Sequence, residues 1–174
     1  MKYLVKFFVV TFFIFICTHV FAEQQIAYIN MKIILNESKA GKGAQNYLKK
    51  TFTDNQKKYT EQESSLKKEE SDLIAKKTIL SKEEYEKEAE KLRKKVNIYQ
   101  QERRKSLETL ARQRTEARQK LLKALDPILK NYINENNIAM VMDQKNIIAG
   151  KDSYDITQNI IKKLNIELPS LSLK

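Results

Sequence analysis

The chain has 174 residues, with 33 Lys and Arg against 22 Asp and Glu, a net charge of +11, three Gly, two Pro, one Cys, one His and no Trp. Charged residues make up 32% of it, a composition that suits long solvated helices and argues against a large catalytic core.

Six of the seven Phe, from Phe7 to Phe21, crowd into the first 22 positions. Lys2 and Lys6 precede an apolar run from Phe7 to Ile16, and Val20-Phe21-Ala22 offers a cleavage-type end. Residues 1–22 therefore read as a secretory signal peptide, since the run is shorter than the roughly 20 apolar residues a membrane span needs. Cleavage would remove Cys17 and His19, the only residues of their kinds. The exported chain would then have no disulfide, thiol nucleophile, imidazole base or Cys/His metal site, so no cofactor, no metal and no catalytic residue is expected.

Gln25 to Asn30 combines β-formers with approximate alternation and predicts a strand of about five residues. Met31 to Leu35 reads as a turn or helical connection, and Asn36-Glu37-Ser38 supplies capping side chains for the next helix. The same three residues match an N-glycosylation sequon, which a helix start explains better. From Ala44 to Asp126 there is no Gly or Pro, and helix formers dominate. As one rod this stretch would run roughly 120 Å at ~1.5 Å per residue. Ser81-Lys82-Glu83-Glu84 matches a capping box and marks a fresh helix start, predicting a reversal near 76–82.

Apolar spacing supports two paired helices. Phe52, Tyr59, Leu66, Leu73 and Leu80 recur every seven residues with polar neighbours, a seam one residue wide. Tyr85, Ala89, Leu92, Val96 and Tyr99 follow a 4-3-4-3 spacing, which Arg103 and Ser106 interrupt before Leu107, Leu110, Leu121 and Leu125 resume it. Residues 45–80 carry eight basic and six acidic side chains, residues 85–125 thirteen and six. The return arm is thus the electropositive one, able to meet acidic lipid, lipopolysaccharide, nucleic acid or acidic protein.

Asp126-Pro127 predicts that the helix ends or is interrupted, with a short helix over Ile128 to Glu135 beyond it. Asn136-Asn137 breaks the pattern. Ile138 to Met142 and Ile147 to Ala149, around the turn Asp143-Gln144-Lys145-Asn146, predict a β-hairpin. Asp152 or Asp155 begins a last helix whose apolar face is Ile156, Ile160, Ile161 and Leu164. The expected fold class is α+β, predominantly α: a small β body built from both chain ends (23–43 and 127–165) with a long helical hairpin (44–126) inserted between them, and a tail at 166–174.

Ile26 to Asn30 followed by Met31, Ile34-Leu35, Glu37-Ser38 and Ala40-Gly41-Lys42, then a long Lys/Glu/Gln-rich helix, resembles the Skp/OmpH family of periplasmic chaperones. Ile138 to Asp143, Ile147 to Ala149, Tyr154 to Thr157 and Ile160 to Asn165 are similar to that family's closing block, in the same order. The resemblance covers the whole mature chain. It implies a homotrimer whose β bodies associate and whose helical hairpins surround a cavity, ATP-independent binding of unfolded outer-membrane proteins, and contact with lipopolysaccharide or acidic phospholipid. Within that frame Ile26, Tyr28, Ile29, Ile138, Met140, Met142, Ile147 and Ile148 are the candidate association residues. Tyr59, Leu66, Leu73, Tyr85 and Tyr99 are the candidates for client contact, and Lys94, Arg103, Arg104 and Lys105 for electrostatic capture of client or lipid.

A structural coiled coil or adaptor that binds a folded envelope partner is the alternative. Nucleic-acid binding follows from charge alone, but export to the periplasm removes nucleic acid as a partner and no groove-reading motif is present. An enzyme is the weakest reading, because the carboxylates are spread over solvated helices.

Overall fold

The computed structural model describes residues 25–173; the expected signal peptide lies outside the described residues. Strand β1 (Gln25–Ile29) leads into a short helix α1 (Met31–Glu37), followed by the long helices α2 (Lys39–Ala75) and α3 (Lys82–Glu135). Strand β2 (Ile138–Asp143), two 3-10 turns (Gln144–Asn146 and Asp152–Tyr154) and helix α4 (Thr157–Glu167) complete it.

Each break in the helical stretch has a local cause. Asn30 caps α1, its Oδ1 accepting from the Ile33 amide at 2.9 Å. Ser38, fully buried, stands between α1 and α2 and accepts from the Gly41 amide at 3.2 Å. The Ser81/Glu84 capping box is complete: the Glu84 amide donates to Ser81 Oγ at 3.3 Å, and the Ser81 amide donates to the Glu84 carboxylate at 3.1 Å. Asn137, in the left-handed conformation with φ 49°, ends α3 where a short polar side chain tolerates that geometry.

Two expectations fail. Pro127 does not end the helix, because α3 runs through it without a break. Leu125 and Ile128 on either side are buried, and their enclosure outweighs the one backbone hydrogen bond that Pro cannot donate. Nor is there a β-hairpin. After β2 the chain enters a 3-10 turn in which Asp143 accepts from the Lys145 amide, and Ile147 to Ala149 form no strand. The partner of β2 is β1, in parallel, with Ile26 opposite Met140 and Tyr28 opposite Met142. A parallel pair needs a long crossover, and here the whole helical arm serves as that connection. A register shift between Gln25 and Ile26 takes up the extra residue Ala139.

The core sits at the base of the arm and draws on every strand and α-helix: Ala27 and Ile29, Ile34, Ala40, Leu121 with Leu125 and Ile128, Ile138, and Ile160 with Leu164. Polar ties close it. The Asn30 amide donates to Thr157 Oγ1 at 2.8 Å, and the Lys39 amide donates to Asn165 Oδ1 at 2.7 Å. α4 lacks a capping side chain at Ile156, but Asp155 Oδ1 accepts from the Thr157 amide at 2.8 Å.

Candidate functional site

The arm is formed by α2 and by α3 up to about Arg112, lying antiparallel. Its interior differs from that of the body in one respect: between Leu48 and Gln113 no side chain is buried. Every seam residue is shared between a neighbouring helix and water. A one-residue seam produces this directly, since residues seven apart on a 3.6-residue helix cannot build a face wide enough to close over itself.

What holds the two helices together is therefore partly polar. Asn55 Nδ2 donates to Ser106 Oγ at 2.7 Å, the Tyr59 hydroxyl donates to the Glu102 carbonyl at 3.1 Å, and the Tyr99 hydroxyl donates to Glu63 at 3.2 Å. Lys95 pairs with Glu69 across the arm at 2.7 Å. The Tyr59 and Tyr99 rings meet edge to face at 6.0 Å between centroids, a geometry that the ring quadrupoles favour.

The five candidates for client contact, Tyr59, Leu66, Leu73, Tyr85 and Tyr99, are all half-buried on this seam, so their first contact is the opposing helix. Lys94, Arg103, Arg104 and Lys105 are exposed. Lys94 is held by Glu90 at 3.0 Å, while the other three form no ion pair among the described residues. Sequence reasoning missed the most exposed apolar side chains of the arm, Ile79 at the tip (79% exposed), Ile74 and Ile98, whereas Leu107, which the seam spacing includes, is exposed as well. The three Ile residues lie off the seam, and apolar residues outside the dominant period give no periodic signal.

The eight candidate association residues divide. Tyr28, Ile29 and Ile138 are buried within the chain itself. Ile147 is half-buried, whereas Ile26, Met140, Met142 and Ile148 are exposed, the last completely. Ile26 and Met140 are register partners and Met142 is two residues on, so an apolar strip lies on the outward side of a sheet with only two strands. The Tyr28 hydroxyl is held above its ordinary pKa by burial first, then by Asp155 and Asp152.

Three carboxylates on the arm are held below their ordinary pKa: Glu63 by its hydrogen bond and charge contact with Lys67, then by Tyr99; Glu84 by the Ser81 side chain and amide; and Glu88 by Lys91. Groups of this kind stabilise the fold fully above the ordinary glutamate pKa, about 4.3, and lose that contribution as the pH falls through their lowered values. Acidification through pH ~4 is therefore expected to loosen the arm before the body, whose core contains no ionised side chain. Amide exchange measured from pH 7 to 3.5 should show residues 60–100 losing protection first; simultaneous loss in α4 would contradict this.

Among the described residues no group of His, Cys, Asp and Glu is arranged to hold a metal ion, and no helix is long and apolar enough to cross a membrane.

The geometry has counterparts. A family model described as "Outer membrane protein (OmpH-like)" matches residues 25–164. The fold is also that of a crystal structure of an OmpH-like protein from Caulobacter crescentus CB15, described as a candidate outer membrane chaperone. The TM-score is 0.79 at 19% identity, over 89% of this chain and 92% of that one. No curated protein matches.

Proposed function

Because the chain belongs to the OmpH-like family, we propose that it is an ATP-independent holdase of the periplasm, exported by a cleaved signal peptide, that keeps unfolded outer-membrane proteins from aggregating. The observation that carries this reading is the length of arm without a buried residue: between Leu48 and Gln113 every apolar side chain is half-buried or exposed. A structural rod would gain from closing such a seam, at ~25 cal/mol per Å² of apolar surface. A holdase gains from leaving it open, because many weak contacts along a flexible arm bind strongly together and release individually.

The exposed strip Ile26, Met140 and Met142 and the fully exposed Ile148 support association of the bodies into a homotrimer. A two-stranded sheet with an unpaired edge and an apolar outer side is poorly protected unless it pairs with identical copies. Arg103, Arg104 and Lys105, with Lys94, would supply the field that draws in acidic clients and would meet lipopolysaccharide or acidic phospholipid. No step needs reaction chemistry or a cofactor.

The test is to dilute a urea-unfolded outer-membrane barrel protein into buffer with residues 23–174 and follow light scattering at low and high salt. Suppression is expected at a few chains per client and should weaken at least several-fold when Lys94, Arg103, Arg104 and Lys105 are all replaced by Gln. No suppression at any excess would transfer the arm to the adaptor reading, in which it binds one folded partner.

A further inference from the structure

The two sides of the arm are not alike. On one side a groove of about 770 Å³ lies between the helices, with Leu66, Leu73 and Ile74 from α2 and Tyr85, Leu92 and Val96 from α3 in its walls. It continues towards the body into a smaller cavity of about 180 Å³ beside Phe52, Leu107 and Leu110. Glu63, Tyr99 and Arg103 line both, so the two are one path. The residues along it recur with helical period: Gln56, Thr60, Glu63, Lys67, Glu70 and Ile74 step by 4-3-4-3-4, which keeps them on one face of α2.

The other side carries a groove of about 610 Å³ whose walls are mostly charged, including Glu69, Asp72, Lys76, Lys87, Lys91 and Lys95. Several of these charges are already satisfied, Lys95 by Glu69 at 2.7 Å and Lys91 by Glu88 at 2.6 Å. An incoming chain gains less there, since it would have to displace existing ion pairs and would meet only Leu73, Leu80 and Leu92 as apolar surface. The first groove has one such pair, Glu63 with Lys67 at 2.8 Å, but Arg93 and Arg103 in its walls form no ion pair among the described residues.

We propose that client chain binds along one face of the arm only, as a single extended segment of about ten residues lying in the groove from Phe52 to Ile74. Length sets the number. The 22 helical steps from Phe52 to Ile74 span ~33 Å at ~1.5 Å each, and an extended chain covers that distance in about ten residues at ~3.3 Å each. A strand of a membrane β-barrel is also about ten residues of alternating apolar and polar character. In the groove its apolar side chains face Leu66, Ile74 and Val96, its polar ones face water, and a carboxylate on it meets Arg93 or Arg103. Each arm thus covers one prospective strand and leaves the more highly charged side to solvent.

This inference rests on the holdase reading, and the test separates the two. A photo-crosslinking phenylalanine is placed singly at Gln56, Asn97 or Gln100 on the grooved side and at Asp72, Lys87 or Lys91 on the other, in otherwise intact chain presented with an unfolded barrel protein. All six positions are exposed, so folding is little affected. Crosslinking is expected to be at least fivefold stronger from the grooved side. Equal yield from both sides, with scattering still suppressed, would overturn the one-sided groove and leave the holdase; absent crosslinks together with unsuppressed scattering would overturn both. Peptides copied from one barrel strand at five, ten and fifteen residues complete the test. Affinity should rise steeply from five to ten and change less than twofold from ten to fifteen, and a continued steep rise would overturn the strand-length fit.

Discussion

Gly41→Ala is expected to destabilise the protein by about 3 kcal/mol, at the upper end of what overpacking a core costs. A Cβ built on Gly41 would lie 2.0 Å from the Leu35 carbonyl oxygen and 2.9 Å from its carbonyl carbon. Both are backbone atoms of α1, so no rotamer change relieves the clash. The first turn of α2 can approach α1 this closely only if residue 41 has no side chain, and the approach is what brings Ile34 and Ala40, both fully buried, into one core. Gly43 is the control. Nothing lies within 4 Å of a Cβ placed there, and it sits inside the same helix on an exposed face. Gly43→Ala should therefore stabilise by about 0.5–1 kcal/mol through the lower entropy of the unfolded chain. Thermal denaturation of the two variants should move in opposite directions, with Gly41→Ala melting ~10 °C lower. Equal shifts would mean that α1 and α2 are not packed as described.

Leu125→Ala should cost about 3 kcal/mol, within the usual 2–5 kcal/mol for a buried Leu that leaves a cavity. Leu125 is 2% exposed and packs in the shared core, on the turn of α3 that precedes Pro127. Its loss removes one of the contacts, with Leu121 and Ile128, that join the return arm to the body, so the effect should spread to α4, which packs against α3. Leu107→Ala, at a position 52% exposed in the arm, should cost less than about 1 kcal/mol because little enclosure is lost. Pro127→Ala should act in the opposite sense, gaining about 1–2 kcal/mol by restoring a helical N–H at a site where the helix already continues. Urea titration followed by circular dichroism distinguishes the three. A large loss from Leu107→Ala would mean the arm is a closed core after all.

The helical arm was legible in the residues because its signals are local. Absence of Gly and Pro, a seven-residue apolar step and a Ser/Glu box each act within one or two helical turns. Pro127 misled because its cost is local while the enclosure of Leu125 and Ile128 that overcomes it is not. The hairpin expectation failed for a related reason. Ile138 to Met142 is a strand on its own composition, but nothing in those residues distinguishes a partner nine residues away from one more than a hundred residues away. At the candidate site the seam Tyr and Leu residues could be read from spacing, while the exposed Ile74, Ile79 and Ile98 could not.

Which residues become helix, where the arm turns and which of its two helices is the more basic all follow from side-chain chemistry within a few residues of each position. The parallel pairing of β1 with β2, the continuity of α3 through Pro127, the need for Gly41 and the difference between the two sides of the arm are long-range outcomes. Each depends on which surfaces meet when distant segments pack, a choice made by the free energy of enclosing Ile34, Leu125, Ile160 and Leu164 together rather than by any one segment's own preference.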